Sequence, residues 1–230
     1  MKCIGLIGGM SWESTAVYYS AINRAVRERL GGLHSGHILL ESLDFSRIVA
    51  LQKVGDWDGA ASVLGNSAKH LSAGGADCVL ICTNTMHIIA DQVRENSPAK
   101  LIDIIDETGR ALRKAGASRP LLLATRYSME HGFYHDRMME LHGIDLLVPD
   151  AAGRDAMHAI IFDELCCGIV RDESRRVVTE IIEQGQAQGA DSVILGCTEI
   201  CLLIGQDGTE LPVFDSTAIH VAAAVDFALN

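Results

Sequence analysis

Aromatic residues are scarce: Phe, Trp and Tyr supply 5% of the 230 residues, against 48% hydrophobic residues overall. Such a core must be built from small and branched aliphatic side chains. That suits helices packed closely on a sheet better than a β-sandwich. Positive charge is also in short supply. A formal net charge of −11 argues against nucleic acid or an anionic membrane as partner, and leaves any anionic substrate to local donors. No apolar run reaches the length of a membrane span. The stretch Lys2-Cys3-Ile4-Gly5-Leu6-Ile7 is too short for a secretory leader, and Gly8-Gly9-Met10 breaks it.

Cofactor signatures are missing as well. Gly5-Leu6-Ile7-Gly8-Gly9 lacks the G-x-G-x-x-G spacing, and no G-x-x-x-x-G-K-[ST] loop occurs. The only lysines are 2, 53, 69, 100 and 114. None stands in the turn directly after a strand, which excludes a pyridoxal phosphate site. Seven cysteines, an odd count with several inside apolar runs, do not make a disulfide framework. The pairs Cys78/Cys82 and Cys197/Cys201 are each four apart, but neither has a histidine at zinc-finger spacing. Buried structural thiols are expected at Cys3, Cys78, Cys166, Cys167 and Cys201. The chain reads as a soluble, reduced, cytoplasmic protein needing no metal or organic cofactor.

What is present is a repeat. Gly75-Ala76-Asp77-Cys78-Val79-Leu80-Ile81-Cys82-Thr83 reads like Gly189-Ala190-Asp191-Ser192-Val193-Ile194-Leu195-Gly196-Cys197, 114 residues on. In this alignment Thr83 falls opposite Cys197 and Cys82 opposite Gly196. Each segment is a helix end, an apolar strand and a small-polar turn, the place where a parallel sheet presents chemistry.

The surrounding pattern alternates strand and helix. Strands are expected at 3–7, 37–43, 77–82 and 101–105. Helices are expected from Ser11 to Arg29 (with Ser11 or Ser14 as cap), at 58–74, from about Thr85 to Glu95, and from about Asp106 to Gly116. The second half repeats the order: strands at 121–124, 145–148, 191–196 and 212–215, and helices at 155–167, 172–188 and 216–229. The expected architecture is α/β, with two pseudo-symmetric doubly wound parallel-sheet domains. The first covers 1–116 plus about 210–230, and the second 117–209. A cleft between them would put two proton-handling groups on opposite sides of one substrate carbon.

Cys197 stands where a strand gives way to a turn, after Gly196 and before Thr198-Glu199. A helix starting there would lower the thiol's pKa through its backbone N–H groups and positive end. Cys82-Thr83-Asn84-Thr85-Met86-His87 is a dense run of small hydrogen-bonding residues. It is either a nest for a carboxylate or simply a good helix cap.

Three segments carry a resemblance to a known family: Gly8-Gly9-Met10-Ser11-Trp12-Glu13-Ser14-Thr15, Cys82-Thr83-Asn84-Thr85-Met86-His87 and Gly196-Cys197-Thr198-Glu199. With Thr125-Arg126-Tyr127-Ser128-Met129-Glu130 and Phe133-Tyr134, they resemble the aspartate/glutamate racemase family over essentially the whole chain. The resemblance implies a cofactor-independent racemase, usually a homodimer, in which one cysteine removes the Cα proton and a second returns one to the opposite face. It implies Cys197 as base for the L-enantiomer. Asn84, Thr85 and Thr198 would hold the α-carboxylate and amino group, and Met10 and Gln52 would shape the side-chain pocket. Gln52 also reads as a solvated helix-end residue. Glu199 would accept a hydrogen bond from Cys197 or from the substrate ammonium, or else serve as a helix-start charge.

The chain departs from the family pattern at one point. The usual first motif is Cys-Asn-Thr, and here Thr83 occupies the cysteine's place with Cys82 one residue earlier. Either the turn is bulged and Cys82 reaches the site, or Thr83 lines it and Cys82 is buried. The repeat favours Thr83, which implies an L-biased enzyme. Arg47 and Arg126 are candidates for a side-chain carboxylate. Cys166-Cys167 stands where some similar proteins carry a lysine after Glu-Leu, which points to a broad-specificity racemase of neutral amino acids as the alternative. A decarboxylase of malonates with a single cysteine and a non-catalytic amino-acid-binding relative are further alternatives.

Overall fold

The computed structural model describes residues 1–230. The chain forms two compact units. One comprises Met1–Ile104 with His220–Asn230, and the other Ile105–Ile219. No helix is long and apolar enough to cross a membrane.

The first unit is a four-stranded parallel sheet in the order β2-β1-β3-β4, formed by β1 (Ile4–Gly8), β2 (Ile38–Ser42), β3 (Cys78–Ile81) and β4 (Lys100–Leu101). Parallel strands need long crossovers. These are α1 (Trp12–Leu30), α2 (Phe45–Val54) with α3 (Trp57–Ala73), and a short 3₁₀ segment (Thr85–Ile89) running into α4 (Ala90–Glu95). Successive side chains of β1 and β3 enter different cores. Ile4, Leu6, Cys78, Leu80 and Cys82 join Tyr18, Ile22 and Val26 of α1, with Val221, Ala224 and Val225 further along the chain. Ile7, Val79 and Ile81 join Ile48 of α2 and Leu64, Ala68 and Leu71 of α3. This two-residue alternation between two buried faces is what a covered parallel sheet requires.

The second unit contains α5 (Ile104–Ala115, bar its first residue), β5 (Pro120–Leu123), α6 (Arg126–Glu130), α7 (Phe133–His142) and α8 (Ala151–Ala159). After these come α9 (Asp172–Ala187), β6 (Ser192–Leu195), β7 (Val213–Asp215) and the start of α10 (Ser216–Leu229). Its sheet is parallel in the order β5-β6-β7. On α9 the buried face is Ser174, Val178, Ile181, Ile182 and Gly185. Gly185 lies so close to the sheet that a Cβ there would come within 2.7 Å of Leu121 Cδ2.

The Gly-Ala-Asp repeat has a structural job in both units. Gly75 and Gly189 take positive φ of 101° and 95°, which glycine tolerates without steric cost. The aspartate then reaches the start of the neighbouring strand. Asp77 Oδ2 accepts from Cys3 N–H at 2.6 Å, and Asp191 Oδ2 accepts from Ser118 and Arg119 N–H at 2.6 and 2.9 Å.

Several expectations are corrected. The units divide at 104/105 and 219/220, not at 116/117 and about 209/210. The reason at the second boundary is that β7 pairs with β6 and so completes the second sheet. The strand expected at 101–105 stops at Leu101, and Ile104 already opens a helix. Of 145–148, only Leu147 pairs, in a single bridge with Leu121. The helix expected at 155–167 starts at Ala151 and changes to a π-helical turn over Ile160–Glu164.

Buried polar groups tie the first unit together. His220 Nε2 lies 2.8 Å from the Ile102 carbonyl, which can only accept, so Nε2 carries the hydrogen. Nδ1 is then the acceptor of the Tyr18 hydroxyl, also at 2.8 Å. Burial, and then the neighbouring His87, push the His220 pKa down to about 3. The unfolded chain takes up this proton below the usual 6.5, whereas the folded protein does not until the pH nears 3. Stability linked to His220 is therefore complete above the unfolded value and is lost as pH falls from there toward the folded one. Urea unfolding of the wild type should lose roughly 2–3 kcal/mol from this group between about pH 7 and about pH 4.5, and His220→Phe should abolish that share of the slope. A variant with the wild-type slope would show that His220 is not the titrating group. A second expectation concerns Gly9, with φ of 84° and a position where a Cβ would fall 2.1 Å from the Leu43 carbonyl oxygen. Gly9→Ala should destabilise the fold by at least about 2 kcal/mol in the same assay.

Candidate active site

At the end of β3 the chain makes a sharp turn. Cys82 N–H still bonds to the Ile7 carbonyl at 3.0 Å, and Thr83 N–H then turns back to Ile81 at 2.8 Å. Cys82 is fully buried among the α1-side aliphatics, and burial drives its pKa far above the usual thiol range. Thr83 is half-buried. The turn thus leaves Cys82 in strand register, facing the core, and brings Thr83 partly out.

The helix expected from about Thr85 to Glu95 is present over those residues, but its first five, Thr85–Ile89, wind as a tighter 3₁₀ segment before α4. Asn84 precedes it without a side-chain cap. Asn84 and Thr85 are both buried. His87, a residue of the motif to which sequence reasoning gave no role, pins this turn. Its Nδ1 donates to the Thr83 carbonyl at 2.9 Å, while its Nε2 accepts the Ile104 N–H at 3.2 Å. The ring is therefore neutral, and it fixes the backbone that presents Thr83.

Met10 and Met86 share one apolar cluster, and Gln52 Nε2 reaches Met86 Sδ at 3.1 Å. Gln52 is buried, one helical turn from Ile48 on the inward face of α2. Its reading as a solvated helix-end residue is overturned. The Ile48/Gln52 spacing was the available signal for α2, which sequence reasoning missed. Met10, Gln52, Thr83, Asn84 and Thr85 all belong to the first unit, and Cys197, Thr198 and Glu199 to the second.

In the second unit Gly196 has no room for a side chain, since a Cβ would meet Leu122 Cδ1 at 2.7 Å. Its backbone N–H bonds to Leu123 at 2.8 Å, which keeps the chain in the sheet up to the turn. Cys197, Thr198 and Glu199 follow, all buried. Cys197 Sγ donates to Glu199 Oε2 at 3.0 Å, and Thr198 Oγ1 donates to the same oxygen at 2.6 Å.

This geometry corrects the expectation of a helix-stabilised thiolate. Only a three-residue 3₁₀ turn follows, over Ile200–Leu202, too short for a useful dipole. The Cys197 pKa is raised well above its ordinary value, chiefly by burial, then by the Glu199 carboxylate and the hydrogen bond to it. At rest the site holds a neutral thiol beside an acceptor carboxylate. It becomes a strong base only when the sulfur gives up its proton.

All seven cysteines are free. Burial followed by the Asp77 charge pushes Cys78 up to about 12, and burial followed by Asp215 raises Cys201. Neither is in reactive form. Of the two arginine candidates, Arg126 is paired with Asp155 at 2.6 Å, and Arg47 is exposed on α2.

Residues 7–224 match the model of the Asp/Glu/hydantoin racemase family. Among solved structures, a Yersinia pestis protein proposed to be an Asp/Glu racemase is 47% identical, with full coverage of both chains and a TM-score of 0.94. An aspartate racemase homologue from Pyrococcus horikoshii OT3 is 32% identical over the whole of both chains, with a TM-score of 0.88. An aspartate racemase from Picrophilus torridus shares the fold at 22% identity and a TM-score of 0.74, covering 99% of this chain and 94% of its own. With a thiol and a small-polar turn at equivalent strand ends of two parallel α/β units, and a match running almost from end to end, the chain belongs to the Asp/Glu/hydantoin racemase family.

Proposed function

We propose that this protein is a pyridoxal-phosphate-independent amino-acid racemase acting on aspartate and glutamate, working as a cytoplasmic homodimer. Cys197 removes the Cα proton of the L-enantiomer. Thr83 replaces the second cysteine, and the enzyme is L-biased. The observation that carries the reading is the buried Cys197 thiol at the end of β6, bonded to a carboxylate in a chain of racemase lineage. The burial of Cys82 supports Thr83 as the other proton handler, because a core thiol at the α1-side face cannot serve a substrate. Asn84, Thr85 and Thr198 supply the neutral donors for the α-carboxylate and amino group, and Met10 with Gln52 shapes the pocket for the side chain.

A second reading takes neutral amino acids as substrates. It is favoured by Arg126 being engaged with Asp155 and by the cysteine at position 166. A panel of L- and D-amino acids in heavy water, followed by NMR at Cα, decides between the two. Turnover of aspartate or glutamate well above that of alanine or serine supports the first, and the reverse order the second. Exchange with none of them would leave a binding protein.

Cys197→Ser should lower Cα exchange of the preferred substrate by at least about 10³-fold, since an alcohol is a far weaker acid than a thiol. Wild-type exchange in that variant would remove Cys197 from the mechanism. For the same reason the Thr83 hydroxyl gives no useful base near neutral pH. The L-enantiomer should therefore exchange its Cα proton readily and the D-enantiomer poorly. Racemisation has an equilibrium constant of unity, so the asymmetry must appear in exchange with retention and not as one-way conversion. Thr83→Cys should restore rapid exchange of the D-form. Equal wild-type exchange of both forms, or its loss in Cys82→Ala, would make Cys82 the second base.

A further inference from the structure

We infer that Glu199 is the immediate proton acceptor of Cys197, so that the working base is a thiol–carboxylate pair and not a free thiolate. The inference rests on the racemase reading and adds a catalytic residue to it. Three observations carry it. The Cys197 thiol and the Thr198 hydroxyl converge on one oxygen of Glu199, at 3.0 and 2.6 Å. Both Cys197 and Glu199 are buried, at 9% and 5% exposure. The equivalent position in the first unit, 114 residues earlier, is Thr85, so the acceptor accompanies the thiol motif alone.

Charge decides the route. A proton lost from Cys197 to solvent would leave a thiolate and a carboxylate in contact in a dry environment, where like charges repel strongly. A proton moved within the pair keeps its charge at one throughout. In that step the S–H bond breaks, an O–H bond forms on Oε2, and sulfur keeps the electron pair. The thiolate then takes the Cα proton, and the C–H electron pair remains on Cα, delocalised into the α-carboxylate. For exchange with retention, the two protons then held by Cys197 and Glu199 scramble within the pair and with solvent, sulfur returns one of them to Cα, and Oε2 returns the other to sulfur. For inversion, the opposite face takes its proton from water or the Thr83 hydroxyl, and the proton on Glu199 is released to replace it. The Thr198 hydroxyl bond favours the ionised carboxylate, and so restores the resting state after each turnover.

The test measures two quantities that a purely structural Glu199 would not move in opposite directions. Iodoacetamide labelling, quantified at the Cys197 peptide by mass spectrometry, reports thiolate content, and NMR in heavy water reports Cα exchange of L-aspartate or L-glutamate. Glu199→Gln removes the charge but keeps the shape. Labelling near neutral pH should rise by about tenfold or more, while exchange should fall by at least about 10²-fold. Glu199→Asp retains a carboxylate and should keep labelling low with at least about a tenth of the exchange. Wild-type or faster exchange in Glu199→Gln would overturn the inference, as would a Glu199→Asp variant no more active than Glu199→Gln. If Glu199→Gln does not fold, judged by its thermal transition, Glu199→Asp decides: low labelling with retained exchange supports the pair, and lost exchange overturns it. A wild-type protein that exchanges no amino acid would refute the racemase reading itself, whereas exchange indifferent to Glu199 refutes only the pair.

Discussion

The two-residue period of a strand buried on both faces governs the chemistry available to this protein. Along β3 the side chains go alternately to the α1 side and to the α2–α3 side, with aliphatic cores filling both. Such a strand has no free face, so a functional side chain must wait for the turn. Cys82 is the last residue to obey the alternation, and Thr83 is the first released from it. One residue of register therefore separates a core thiol from a hydroxyl at the strand end.

The two halves follow the same plan and diverge at the point of use. Asp77 and Asp191 do the same work, closing the start of the neighbouring strand, and a positive-φ glycine precedes each. After the strands the equivalence breaks down. The first half pins its turn with a neutral histidine, His87, and presents a hydroxyl. The second presents a thiol and gives it a carboxylate partner two residues on. Backbone bonds hold the chain at each strand end, and the side chains that follow differ between the halves.

Much of this was legible in the sequence because it rests on local rules. The helices 12–30, 172–187 and 216–229 were announced by periodicity and caps, and Ser11 does cap the first, accepting from Ser14 N–H. The repeat gave the two sheet ends and favoured burial of Cys82. Less visible were features fixed by packing. α2 hides its inward face in a single pair, Ile48 and Gln52. β4 is cut to two residues because the next helix begins almost at once. The thiol's protonation state could not be read at all. It depends on whether the chain after Cys197 forms a long helix or one 3₁₀ turn, and on where the Glu199 side chain folds back, neither of which residue type dictates.

A thiol kept protonated at rest has a consequence for the durability of the molecule. Peroxides attack the thiolate, and the first product, a sulfenic acid, leads on to irreversible forms. Cys197 is held as the neutral thiol by burial and by the carboxylate beside it, and Cys78, Cys82 and Cys201 are held so mainly by burial. The carboxylate that keeps Cys197 protonated at rest therefore also shields it from oxidative loss when no substrate is bound.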